Sequence, residues 1–433
     1  MSRDGSRGAA FLVGAGILLS RIAGLIRNKV FAYYFGSSLA ADALNAAIRI
    51  PNLLQNLFGE GVLSASFIPG YAGLIAQGRK QESDRLAGVV AAVLALTSAV
   101  IVLAGVLLAP ALVSLIAGGF SGERRELTVS LTRILFPGAG FLVLSAWCLG
   151  ILNSHRKFFV SYTAPVVWNL AMIGALLGFG SGTPQVRLAE IVAWASVVGS
   201  ALQFAVQLPL VFRLARGVRL NLDLKMPNAQ LVFRNFVPAF ISRGVVQISA
   251  YIDAFIASWL PTGAVAVFAY AQVLYTLPVS LFGMAVSAAE LPVMSSATGT
   301  SEEIAAYLRG RLDDGLERIA FFIVPSVIAF LAFGDVISAV LFESGRFTRS
   351  DSIWVWQILA GSTIGLLAST WGRLYSSTFY ALRDTRTPLR YAIVRVTLTT
   401  VLGLVAALRV PGWLGLDPKI GVAGLTASAG IAG

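Results

Sequence analysis

The sequence predicts an all-α polytopic membrane protein, arranged as two parallel six-helix repeats around a central cavity. Three observations predict it. Hydrophobic residues make up 57% of the 433 residues and charged residues only 12%, about half the charge of a soluble domain, and mean hydropathy is +0.78. Apolar stretches of membrane-spanning length recur along the whole chain. The second half also repeats the first.

The apolar stretches fall at about 9–35, 39–76, 86–117, 126–152, 158–180, 187–212, 230–259, 264–294, 317–342, 353–381, 388–408 and 421–433, giving twelve spans by length. The first is too long for a signal-peptide core and no small-residue cleavage site follows it, so it reads as a retained span. The last stops inside an apolar run, so the chain is expected to continue past Gly433. With the N-terminus inside, eighteen Lys and Arg residues fall in inner segments and seven in outer ones. That bias places the N-terminus in the cytoplasm. Thr300-Ser301-Glu302-Glu303 has capping-box spacing and would suit a short surface helix; a plain connector is the preferred reading. Gly174-x-x-x-Gly178 reads as a small-residue contact motif.

The repeat has an offset of about 222–227 residues. Ser20-Arg21 returns as Ser242-Arg243, Leu57-Phe58-Gly59 as Leu281-Phe282-Gly283, Pro69 as Pro292, Ile134-Leu135 as Ile358-Leu359, and the Gly-x-Phe of Gly118-Gly119-Phe120 as Gly345-Arg346-Phe347. The offset spans six helices, an even number, so both halves keep the same orientation. Parallel repeats of this kind are a transporter architecture with substrate held between halves. The expected lobes are 1–220 and 221–433.

Composition narrows the chemistry. One cysteine, Cys148, and one histidine, His155, exclude an internal disulfide, a thiol–metal cluster and a multi-histidine site. No catalytic residue, metal or cofactor is expected. The net charge of +12 is scattered through short loops, which fits membrane topology and not a nucleic-acid partner.

The second span carries the strongest functional signal. Asp42, Asn45, Arg49, Asn52, Asn56 and Glu60 share a stripe roughly 80° wide on a helix. Arg21 and Arg27 lie in the span before it. Ionisable groups at membrane depth face a wet cavity or a partner, and Arg suits phosphate oxygens. The stripe, with Arg243 from the second half, therefore predicts a binding site for a phosphate or pyrophosphate. Asp42 and Arg49 are too far apart along the helix to pair, so Asp42 needs a partner from another span, such as Arg27. Pro51 predicts a kink and a hinge. Gly16, Ser20 and Gly24 read as a packing strip on span one. Gln272, Thr276, Gly283, Ser287 and Glu290 form a weaker polar stripe on span eight. Asp253 and Arg395 either pair, the favoured reading, or Asp253 holds a coupling cation.

The segment SRIAGLIRNKVFAYYFGSSLAADALNAAIRIPNLLQNLFGEGVLSASFIP (20–69) resembles the N-terminal signature of the MurJ (MviN) lipid II flippases, within the multidrug/oligosaccharidyl-lipid/polysaccharide exporter superfamily. GILNSHRKF (150–158), SLFGMAVSAAELP (280–292), FESGRF (342–347) and FYALRDTRTP (379–388) extend the resemblance over nearly the whole chain. It implies a bacterial inner-membrane flippase for undecaprenyl-pyrophosphate-linked disaccharide-pentapeptide, lipid II, used in peptidoglycan and cell-wall biogenesis. Membrane lipids and a coupling monovalent cation would be its other partners. It also implies two further C-terminal helices that hold the lipid tail. Ser20, Arg21, Arg27, Asp42, Pro51, Asn52 and Glu60 match the family pattern, and Arg49 stands at a position usually basic. Gln55 and Val273 stand where many members have arginines, and Asn28 where Asp is frequent. Competing functions are a flippase for another polyprenyl-pyrophosphate-linked glycan, a drug/cation antiporter on the same fold, a membrane enzyme acting on polyprenyl phosphates, and a scaffold without transport. The basic stripe disfavours the antiporter, and the scaffold gives no reason for the buried arginines.

Overall fold

A computed structural model describes the backbone of residues 3–58, 60–382, 384 and 386–433, and the side chains of 14–57, 62–238, 240, 251–382, 384 and 386–433. Among the described residues every long element is a helix. In chain order they are α1 (Arg3–Phe35), α2 (Leu39–Phe58), α3 (Glu60–Ala76), α4 (Lys80–Leu107), α5 (Ala109–Ile116), α6 (Gly122–Ser154), α7 (Phe158–Phe179), α8 (Gln185–Leu214), α9 (Pro227–Ser258), α10 (Ala264–Pro278), α11 (Ala285–Ser295), α12 (Ser301–Phe342), α13 (Arg349–Thr363), α14 (Leu366–Ala381), α15 (Arg386–Leu408), the single turn α16 (Val410–Trp413) and α17 (Gly421–Ala432). Each apolar stretch of the sequence coincides with one helix or a broken pair. Among the described residues, seven helices are long and apolar enough to cross a membrane, or eight if α13 and α14, bent by 48°, count as one span.

The chain divides into two compact units: Met1–Phe35 with Leu39–Tyr251, and Gly36–Ser38 with Ile252–Gly433. The division falls inside α9. In the first unit α6 is the central post, with 72% of its apolar stretch buried. Phe67, Tyr71, Leu86, Trp147 and Ile151 form one buried cluster between α3, α4 and α6. Ile50, Val113 and Phe136 form a second, where α2 and α5 meet α6. Trp147 donates its indole N–H to the Ala87 carbonyl at 3.1 Å, so the ring fills the core without burying an unmet donor. The loop after α8 is tied back to α4. The buried Asp84 accepts the Gly217 N–H at 2.9 Å, and Arg85 pairs with Asp223 at 2.5 Å.

The single histidine lies in the turn after α6. Its Nε2 is 3.2 Å from the Tyr71 hydroxyl. Burial foremost holds the His155 pKa below its ordinary value; Lys80 and Lys157 add to this and Asp84 opposes it.

The second unit is built on helix breaks. Val279–Met284 is a π-helical turn joining α10 to α11, and Leu281-Phe282-Gly283 of the repeat falls within it. The α13–α14 bend lies at Ile364-Gly365. A Cβ on Gly365 would stand 2.1 Å from the Gly430 Cα, so α17 meets this bend backbone to backbone. Thr426 donates to the Ile358 carbonyl at 2.9 Å, and Trp354 to the Lys419 carbonyl at 2.9 Å, which fix α17 along α13. Asp384, in the FYALRDTRTP motif, caps α15. Its carboxylate accepts the Thr387 hydroxyl at 2.6 Å and the N–H groups of Arg386 and Thr387, and these bonds, the hydroxyl first, hold its pKa below the ordinary value.

Two sequence expectations change. Thr300 and Glu303 do form a capping box, but the helix they start is α12, 42 residues long and continuous with span nine; it is neither a separate surface helix nor a connector. Nothing lies within 4 Å of a Cβ built on Gly174 or Gly178, so that motif makes no close contact within the described chain. Pro51 is buried within α2.

Two glycine substitutions separate close packing from helix propensity. Gly365→Ala is expected to destabilise by about 1–3 kcal/mol through overpacking, seen as a lowered melting temperature of the purified protein. Gly174→Ala, with open space around it, is expected to leave that temperature unchanged or raise it.

Candidate substrate-binding site

The stripe on α2 divides into two parts. Asn45, Arg49, Asn52 and Asn56 are half-buried, while Ala43, Leu44, Ala46, Ala47 and Ile50 between them are buried. In the first half of α2 the apolar residues are packed against α6 and its neighbours; from Asn52 to Leu57 polar and apolar residues are alike half-buried. Asn45 donates its side-chain amide to the Ala41 carbonyl at 2.9 Å. Tyr251 donates its hydroxyl to the Arg49 carbonyl at 2.9 Å, fixing that turn of α2 while leaving the guanidinium to its own contacts. Gln55 is half-buried beside Asn56.

Asp42 behaves differently. It is 0% exposed and lies in the first turn of α2. Its partner is not Arg27 but Arg124, at the head of α6, with Nη1 3.2 Å from Oδ2. The Arg124 guanidinium stands 4.1 Å from the centre of the Phe120 ring. The first turn of α2 is covered by the start of α6, so its carboxylate is enclosed where the later stripe residues are open. The ion pair satisfies two charges that would each be costly in isolation. Asp42 therefore supports the site from behind and does not share the open face.

Arg27 projects from α1 toward α7. Among the described residues its hydrogen-bond partner is Asn28 Oδ1, 3.0 Å from Nη2, and its guanidinium lies 4.8 Å from the centre of the Trp168 ring. Trp168 in turn donates to Ser196 Oγ at 3.0 Å. Arg21 is exposed. The Gly16 strip is packing, as expected: a Cβ on Gly16 would stand 2.9 Å from Tyr162 Cβ, where α1 meets α7. Glu60 and Arg243, both expected at the site, lie outside the residues whose side chains are described.

In the second unit, the lower half of the α10–α11 stripe is packed, not open. Gly283 is buried against Thr370. Glu290, 2% exposed, accepts from Arg311 Nη2 at 2.5 Å and Nε at 2.9 Å. Asp253 is half-buried on α9 and Arg395 is exposed on α15; the ion pairs among the described residues do not join them. Sequence reasoning missed Arg124, Trp168 and Arg311. Arg124 is 82 residues from its partner and sits in a segment read as an outer loop, so no spacing rule connects them.

Many long apolar helices with a half-buried basic and polar face define a polytopic membrane protein of the transporter type. Solved structures agree. The chain superposes on an inward-facing multidrug resistance MATE transporter of the MOP superfamily with TM-score 0.72 at 17% identity, covering 94% of this chain and 92% of that one. That likeness speaks for the fold. It superposes on a structure described as "Lipid II flippase MurJ, inward closed conformation" with TM-score 0.80 at 26% identity, covering 97% of this chain and 85% of that one. The family profile described as Lipid II flippase MurJ matches residues 31–433. A lipid II flippase MurJ of Burkholderia cenocepacia is 34% identical, over 98% of this chain and 80% of the relative. A probable lipid II flippase MurJ of Rhizobium tropici is also 34% identical, over 93% and 78%. The chain belongs to the lipid II flippase MurJ family, and is a multi-pass bacterial membrane protein.

Two measurements check the site. Removing one partner of the buried pair, by Asp42→Ala or Arg124→Ala, is expected to cost about 3–5 kcal/mol, read as loss of thermal stability; the double substitution should cost less than the sum. In a Cys148→Ser background, single cysteines at positions 45, 52 and 56 should react with a membrane-impermeant thiol reagent from at least one side. Cysteines at 44 and 47, both buried, should not. The opposite pattern would mean that the polar face is packed and not open.

Proposed function

We propose that this chain moves lipid II, the undecaprenyl-pyrophosphate-linked disaccharide-pentapeptide, from the inner to the outer leaflet of the bacterial cytoplasmic membrane by alternating access. The observation that carries the reading is membership of the MurJ family over residues 31–433. The N-terminus lies in the cytoplasm, as the loop charges argue, and the lobes are 1–220 and 221–433. The work is transport and not catalysis.

The chemistry of the first unit supports the substrate class. Lipid II is anionic at its diphosphate, and Arg27 and Arg49 place two guanidinium groups at membrane depth. An isolated charge there costs roughly 2.5–3.5 kcal/mol on insertion scales, a cost that an anionic headgroup offsets. Arg27 and Arg49 hold the diphosphate in this reading. Asn45, Asn52 and Asn56 supply neutral donors and acceptors for sugar and peptide. Asp42, held by Arg124, keeps a carboxylate from repelling the substrate. Arg21, Glu60 and Arg243 complete the proposed set. Coupling to a monovalent cation, with Asp253 as its acidic group, belongs to the same proposal.

Complementation tests it. Bacteria depleted of their own lipid II flippase are expected to grow when supplied with this gene. Arg27→Ala should abolish rescue and Arg49→Ala should weaken it, with membrane levels of the protein unchanged. A wild-type protein that is well expressed yet fails to rescue would overturn the function. Normal growth on Arg27→Ala would overturn the anion site.

A further inference from the structure

The guanidinium of Arg27 has an aromatic floor. Its distance of 4.8 Å to the centre of the Trp168 ring is within cation–π range. Trp168 is itself fixed from two directions. Its indole N–H donates to Ser196 Oγ at 3.0 Å. One turn further along α8 is Gly199, where a Cβ would stand 3.1 Å from both the Cα and Cδ1 of Trp168. The bare glycine lets α7 and the indole settle against α8, and the hydrogen bond sets the rotation of the ring.

The remaining contact is Asn28 Oδ1, 3.0 Å from Nη2. Both Asn28 and Trp168 are neutral, so the described surroundings hold the guanidinium without cancelling its charge. A guanidinium carries five N–H donors, and Asn28 takes one. The others are left in a fixed plane, the arrangement that binds two phosphate oxygens as a fork.

We propose that Trp168, clamped by Ser196 and seated on Gly199, is a positioning residue for Arg27 that sets the plane of its guanidinium for the diphosphate of the polyprenyl-linked substrate. The inference rests on the reading of Arg27 as the diphosphate ligand. Its physical content is preorganisation. An arginine side chain loses rotamer freedom when it engages a ligand; the ring takes that loss beforehand, so less is charged to binding.

The test uses the purified full chain in detergent, with undecaprenyl diphosphate as probe and undecaprenol as its neutral control. Trp168→Leu keeps apolar volume and removes the π face. It is expected to weaken diphosphate binding about 2- to 30-fold and leave undecaprenol binding unchanged. Trp168→Phe keeps a face and loses the N–H, so it should lie between Leu and wild type. Ser196→Ala should weaken the diphosphate in the same direction. In an Arg27→Ala background, Trp168→Leu should have no further effect, because a residue that acts through Arg27 has nothing left to act through.

An equal loss in both backgrounds, or an equal loss for undecaprenol, would make Trp168 a packing residue and overturn the proposal while leaving Arg27 as the ligand. If Trp168→Leu does not fold, unchanged diphosphate binding in both Trp168→Phe and Ser196→Ala overturns it. If Arg27→Ala alone leaves diphosphate binding unchanged, the anion site itself falls and this inference falls with it.

Discussion

Hydrocarbon supplies no hydrogen-bond partner, and the architecture follows from that constraint. Backbone groups are closed within helices. Hydroxyls turn back on their own helix, as Thr132 does to the Thr128 carbonyl at 2.7 Å and Thr370 to Leu366 at 2.6 Å. Two buried carboxylates find guanidinium groups, Asp42 with Arg124 and Glu290 with Arg311. Against this background Arg27 stands apart. Its charge is met by a ring and a neutral amide, arrangements that support a cation without neutralising it.

The same constraint is met differently in the two units. In the first, the second span keeps an accessible polar face along α2. In the second, the corresponding span contains a π turn, and its lower polar residues are enclosed by α12 and α14. Leu281-Phe282-Gly283 lies within that π turn. Beyond that turn, Glu290 is paired with Arg311.

What the sequence revealed follows the range of the forces involved. The spans were legible because desolvation acts on every residue of an apolar run, and their ends were marked by turns such as Gly36-Ser37-Ser38. That Asn45, Arg49, Asn52 and Asn56 share one helix and are each half-buried was legible because helical period is local. The partner of Asp42 was not, because the choice between Arg27 and Arg124 depends on which helix covers the first turn of α2. The platform under Arg27 was hidden for the same reason: it needs α7 and α8 brought together, and the glycine that permits this looks like any other glycine in an apolar helix. Thr300 shows the limit within local rules. The capping box was read, but not that its helix runs unbroken into the membrane.

That unbroken helix has a mechanical consequence. With 42 residues, α12 is about 63 Å long, roughly twice the thickness of a bilayer's hydrocarbon core. Its first turns, where most residues from Ser301 to Arg309 are exposed, extend beyond the length that a span requires. Any tilt of the helix within the membrane becomes a larger sweep at its capped tip. The tip is thus a natural gauge, where a small rearrangement among buried side chains becomes a displacement large enough to measure with a pair of spin labels.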